Sequence, residues 1–73
     1  MRVYASAEDY LEAILVIQRR QGSVRSIDVA NELCFSKPSV SVAMKKLREQ
    51  GCIEMDQEGF IHLLPAGAEI AEH

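Results

Sequence analysis

Phe35-Ser36-Lys37-Pro38-Ser39-Val40-Ser41-Val42-Ala43-Met44-Lys45-Lys46-Leu47-Arg48-Glu49-Gln50-Gly51 carries its own start and stop signals. Ser36 is placed to cap a helix, because its hydroxyl can accept from a free amide of the first turn. Pro38 suits that turn, where its missing N–H is not needed. Gly51 suits the position past the end, which requires positive φ. Val40, Ala43, Met44 and Leu47 recur at i, i+3, i+4 and i+7 and make one apolar stripe. The other faces carry Lys37, Ser39, Ser41, Val42, Lys45, Lys46 and Arg48, with no acid before Glu49. Half of the chain's eight basic residues lie between positions 37 and 48. Such a helix, apolar on one side and small, polar and basic on the other, suits the DNA major groove, which admits one helix and repels acids. An ordinary amphipathic helix with a solvated basic face has the same pattern, so this stretch alone leaves both readings open.

Upstream, Ser6-Ala7-Glu8-Asp9 is a helix start, with Ser6 as cap and Asp9 as the capping-box acid. Tyr10, Leu11, Ile14, Leu15 and Ile17 form a wide apolar face, with Ala7, Ala13 and Val16 filling in. Arg19-Arg20-Gln21-Gly22 closes this helix, predicted over about 7–21, with cations near its negative end. Residues 1–5 are a loose lead-in. Val24 and Arg25 form a short extended piece. Ser26 caps a second helix over roughly 27–33, with Ile27, Ala30 and Leu33 inward and Asp28 in its first turn. Cys34-Phe35 is the turn into the central helix. The stretch 26–47 has the spacing of a helix-turn-helix, with small Ala30 at the crossing; a generic helical hairpin is the plainer alternative.

After Gly51 the period changes to two. Cys52-Ile53-Glu54-Met55 and Phe60-Ile61-His62-Leu63-Leu64 flank a turn at residues 56–59, which predicts a β-hairpin. A hairpin directly after a recognition helix is a wing. The expected architecture is therefore mostly α with a small β-hairpin, an α+β winged helix-turn-helix. Pro65 breaks the strand, and a helix begins at Ala66. It is barely two turns long and uncapped, which predicts that the natural protein continues.

At 73 residues the chain holds one small domain at most, with a modest core. Its net charge of −3 argues against non-specific nucleic-acid binding and leaves room for a local basic face. Cys34 and Cys52 stand far apart with no Cys-x-x-Cys pattern, so two reduced thiols in a cytoplasmic protein are expected rather than a zinc site. The longest apolar run, Ala13 to Ile17, is too short to span a bilayer. Neither a phosphate loop nor a catalytic constellation appears, and no enzyme is expected.

The run Ser6-Ala7-Glu8-Asp9-Tyr10-Leu11-Glu12-Ala13-Ile14 resembles the opening helix of the metal-dependent repressors of the diphtheria toxin repressor family. The similarity continues through Ser36-Lys37-Pro38-Ser39-Val40-Ser41 and Gly51-Cys52-Ile53. It ends in Leu64-Pro65-Ala66-Gly67, which is similar to the family's Leu-Thr-x-x-Gly passage from wing to linker helix. The likeness covers nearly all of this chain and only the N-terminal half of a family member. It implies residues 1–65 as a DNA-binding domain and 66–73 as the start of a linker to a dimerisation domain absent from this chain. The implied protein is a homodimer that binds double-stranded operator DNA when a divalent metal is bound.

By the same resemblance, Asp9 and Glu12 match first-helix metal ligands of the manganese-type members. Their hard oxygens suit Mn²⁺, with Fe²⁺ as the alternative. Read without the family, Asp9 is a capping acid and Glu12 a solvated residue near a helix start. The remaining ligands are expected beyond residue 73, and His73 comes too soon after Gly67 to be one of them. The DNA contacts implied are Ser36, Pro38, Ser39, Ser41 and Val42, with Lys37 and Lys46 toward phosphates and Arg25 at a backbone-contact position. Val42 departs from relatives with glutamine there; it can meet a thymine methyl but cannot pair with adenine. The wing also departs, since Glu54, Asp56 and Glu58 stand where relatives often carry a basic tip. A winged-helix module that docks protein through this acidic wing, without metal, is the competing reading.

Overall fold

The computed structural model describes residues 6–72. The lead-in at 1–5 and His73 lie outside the described residues. The element order is α1 (Ala7–Gln21), α2 (Ser26–Leu33), α3 (Lys37–Glu49), β1 (Ile53–Met55), β2 (Ile61–Leu63) and α4 (Pro65–Ala71). This is the expected mostly helical fold with one hairpin.

Local chemistry sets each boundary. At the head of α1 the capping box is complete. The Asp9 amide donates to Ser6 Oγ at 3.3 Å, and the Ser6 amide donates to Asp9 Oδ2 at 3.1 Å. Gly22 closes the helix in the left-handed conformation. At the head of α2 the expectation needs correction. Ser26 is the first helical residue, and Arg25 is the N-cap. The acid at N3 does the capping, as the Arg25 amide donates to Asp28 Oδ2 at 2.9 Å. Cys34 ends α2 at φ 60°, a conformation that costs a side-chain-bearing residue roughly 1–2 kcal/mol and turns the chain sharply into α3. At the far end of α3, the Cys52 amide donates to the Leu47 carbonyl and the Gly51 amide to the Arg48 carbonyl, at 3.0 and 3.1 Å. That pattern needs positive φ at the intervening residue, and Gly51 sits at 76°.

The core forms where the helical stripes meet. Leu11, Ile14 and Ile17 of α1 are wholly buried against Val29 and Ala30 of α2 and Val40, Met44 and Leu47 of α3. Ile53 and Ile61 of the hairpin and Ala71 of α4 close it. Three expectations fail here. On α2 Val29 is buried beside Ala30, whereas Ile27 is exposed. Helix α2 packs against both α1 and α3, and the face shared by Val29, Ala30 and Leu33 leaves Ile27 outside it. On α1, Ala7 and Val16 lie outside the apolar face. Pro65 does more than break the strand, since it is the first residue of α4, where a missing N–H costs nothing.

The hairpin is antiparallel, with Ile53 opposite Leu63, Glu54 opposite His62 and Met55 opposite Ile61. A third segment joins it. Arg25 forms an antiparallel bridge with Phe60, and the Ile61 amide donates to the Val24 carbonyl at 2.7 Å. Val24 is therefore buried, and the loop between α1 and α2 ties the wing to the helices. At the wing tip Asp56 Oδ1 accepts from the amides of Phe60 (2.9 Å) and Glu58 (3.1 Å), and Oδ2 lies 3.0 Å from His62 Nε2. The hydrogen bond from His62, then that from the Phe60 amide, hold the Asp56 carboxyl below its usual value of 3.8. A lowered folded-state pKa means that the unfolded chain binds the proton more readily. The tip's stabilisation is thus full above pH 3.8 and fades as pH falls through the lower folded value. A ¹³C titration should place the Asp56 midpoint below 3.8, and His62→Ala should move it back up; a midpoint of 3.8 in the wild type would rule out this pairing.

Candidate nucleic-acid interface

Helix α3 presents its polar and basic side outward because the stripe Val40, Met44 and Leu47 fixes its rotation in the core. Lys37, Pro38, Ser39, Ser41, Val42, Lys45, Lys46 and Arg48 are all exposed. Val42 is 57 % exposed in mid-helix, more than an apolar residue needs for any internal contact. Not every candidate is equally available. Ser36 Oγ caps α3, accepting from the Ser39 amide at 3.4 Å and donating to Ser39 Oγ at 2.9 Å. Arg48 leans toward the hairpin, with its guanidinium 4.0 Å from the Met55 sulfur.

The candidates fall into two groups across the helix. Lys37 and Ser41 line a shallow depression with Ser26 and Ile27 of α2. Ser39, Val42 and Lys46 line a groove of about 420 Å³ with Ala7 and Tyr10 of α1. Arg25 stands apart at the head of α2, with its guanidinium over the Phe60 ring at 4.2 Å. The first turns of α2 and α3 thus approach one another, and free amides of helix N-termini are suited to phosphate. Two neighbours of this surface differ from the sequence expectation, which makes Ile27 an inward residue of the second helix and Phe60 part of a strand. The polar pattern of 35–51 carried no information about what lies beside it.

Asp9 and Glu12 do share one site. They line a cleft of about 430 Å³ between α1 and α2, together with Val16, Glu32, Leu33 and Phe35. Capping and proximity coexist here, because Asp9 Oδ2 holds the Ser6 amide while the carboxylate borders the cleft. Glu32 is engaged with Arg20 at 2.9 Å. Among the described residues no three potential ligands converge on a common point. Two hard carboxylates fit part of a divalent-cation shell and leave most of it to other groups.

A helix-turn-helix followed by a hairpin, with a basic second helix held outward, defines a winged-helix DNA-binding domain. Comparison with known proteins gives the family. Residues 2–62 match the iron dependent repressor N-terminal DNA binding domain. The transcriptional regulator MntR of Escherichia coli O6:H1 is 34 % identical over 65 residues, which is 89 % of this chain and 42 % of the relative. Its counterpart in Salmonella typhimurium is 32 % identical over the same length. Among solved structures, T. acidophilum IdeR superposes with a TM-score of 0.88 at 25 % identity, over 97 % of this chain and 33 % of that one. MepR, a regulator of the Staphylococcus aureus multidrug efflux pump MepA, shares the fold at a TM-score of 0.70 and 19 % identity, over 96 % of this chain and 54 % of its own. The chain belongs to the iron-dependent repressor family and is its N-terminal DNA-binding domain. It spans about two fifths of the length of the curated regulators it matches.

Proposed function

We propose that this domain reads operator DNA within a manganese-responsive repressor, with α3 in the major groove. The observation that carries the reading is the outward face of α3, exposed and free of acid from Lys37 to Arg48. On this reading Ser39, Ser41 and Val42 meet base edges. Lys37, Lys46 and Arg25 meet phosphates, and Ser36 and Pro38 shape the helix entry that fits the groove. Few of these groups can form bidentate base contacts, so DNA shape contributes much of the specificity. Asp9 and Glu12 would hold the metal in part, their hard oxygens suiting Mn²⁺, with Fe²⁺ as the alternative. Residues 66–73 begin the link to a dimerisation domain outside this chain, and the homodimer acts in the cytoplasm.

The test is fluorescence anisotropy of the full-length protein on promoter DNA from its own locus, with Mn²⁺, with Fe²⁺ and without metal. Asp9→Asn/Glu12→Gln is the informative variant, because asparagine keeps an oxygen for the Ser6 cap while the charge is lost. Mn²⁺ is expected to tighten wild-type binding at least about tenfold, a usual allosteric coupling, and to leave the double variant unaffected. Binding indifferent to metal would return Asp9 and Glu12 to capping and solvation. Absence of DNA binding under every condition would favour protein docking through the acidic wing.

A further inference from the structure

The wing carries three exposed acids, Glu54, Asp56 and Glu58, which phosphates repel. Yet its tip is closely tied. Asp56 holds the Glu58 and Phe60 amides and pairs with His62. All this order converges on Phe60, whose backbone bridges Arg25 and whose ring lies 4.2 Å from the Arg25 guanidinium. The Arg25 backbone is held in place as the α2 N-cap, its amide donating to Asp28 Oδ2 at 2.9 Å.

We propose that Phe60 is a positioning residue for Arg25, so that the wing acts on DNA through the guanidinium it stacks rather than through its own charges. The proposal rests on the reading of Arg25 as a phosphate contact. The geometry lets Arg25 serve both partners. An aromatic ring engages the face of a guanidinium, whereas phosphate engages its in-plane N–H edge. No carboxylate among the described residues forms an ion pair with Arg25. Stacking restricts the side chain before DNA arrives and reduces the ordering cost of binding. An acidic wing is compatible with this role because only its ring and backbone are used.

The experiment measures affinity of the full-length, Mn²⁺-loaded protein for a mixed-sequence duplex across a salt series. Wild type is compared with Phe60→Leu, Phe60→Tyr, Arg25→Ala and the Phe60→Leu/Arg25→Ala double variant, with Tm recorded for each. Arg25→Ala should weaken binding to every sequence and reduce the salt slope by about 0.9. Phe60→Leu should weaken it about threefold, and Phe60→Tyr, which keeps the ring, should match wild type in affinity and slope. In the Arg25→Ala background, Phe60→Leu should cost nothing further. Fully additive losses, a Phe60→Leu protein that binds like wild type beside a weakened Arg25→Ala, or a loss that follows Tm and is not rescued by tyrosine would each overturn the proposal alone. An Arg25→Ala protein indistinguishable from wild type would overturn it together with the phosphate reading of Arg25.

Discussion

Gly67→Ala is expected to lower the Tm of the domain by roughly 8–16 °C. Gly67 is buried in α4, and a Cβ built there would run into the backbone carbonyl of Cys52. That carbonyl cannot retreat freely, because it accepts the Leu64 amide at 3.0 Å and so anchors the turn from β2 into α4. Two effects oppose one another. Alanine is the better helix former by about 1 kcal/mol. Overpacking costs about 1–3 kcal/mol, and the upper end applies when the obstacle is backbone rather than a movable side chain. The clash wins by about 2 kcal/mol, a large share of what a domain of this size has in reserve. At roughly 4–8 °C per kcal/mol this gives the stated shift, measurable by circular dichroism. A Tm unchanged or raised would mean that α4 slides off Cys52 at little cost, leaving helix propensity to decide the sign.

The same glycine shows what a single chain reveals and what it hides. Gly67 drew notice only as part of a resemblance, since nothing local in Pro65-Ala66-Gly67 says that another backbone passes close by. Features governed by neighbours in sequence were readable. The Ser6–Asp9 capping box, the Gly51 terminus of α3, the stripe Val40, Met44 and Leu47 and the two strands of the hairpin all follow from spacings of a few residues. Features governed by packing between distant segments were not. Val24 is buried because it pairs with Ile61, and Val29 is buried rather than Ile27 because of how α2 packs on α1 and α3. The site divides the same way. The acid-free face of α3 lies within one helix and could be read directly, as could the Asp9/Glu12 spacing. The contact between Arg25 and Phe60 joins two segments separated by a whole helix-turn-helix, and no periodicity reports it.

Val42→Glu should reduce DNA affinity at least about a hundredfold while leaving the fold intact. Val42 is 57 % exposed at the middle of α3, so a polar side chain there disturbs no internal contact. Surface changes of this kind shift stability by within about 0.5 kcal/mol. Ser39 and Lys46 flank it on the same helix, Ala7 and Tyr10 of α1 form the far wall of the groove, and no acid lies between positions 37 and 48. A carboxylate placed there would stand where α3 enters a groove walled by phosphates. Like-charge juxtaposition at an interface costs several kcal/mol, and each 1.4 kcal/mol is about a factor of ten. Lys46 would also be drawn to the new acid four residues away along the helix, which withdraws a cation from the backbone. Val42→Gln separates charge from size. It is nearly as long as glutamate and uncharged, so it should bind within about threefold of wild type and gain preference for adenine at one position, where its amide can pair with N6 and N7. Anisotropy on promoter DNA, with unfolding curves for both variants, reads these outcomes. If the glutamate variant binds as tightly as the glutamine one, α3 does not face the DNA, and the acid-free surface from Lys37 to Arg48 serves solvation only.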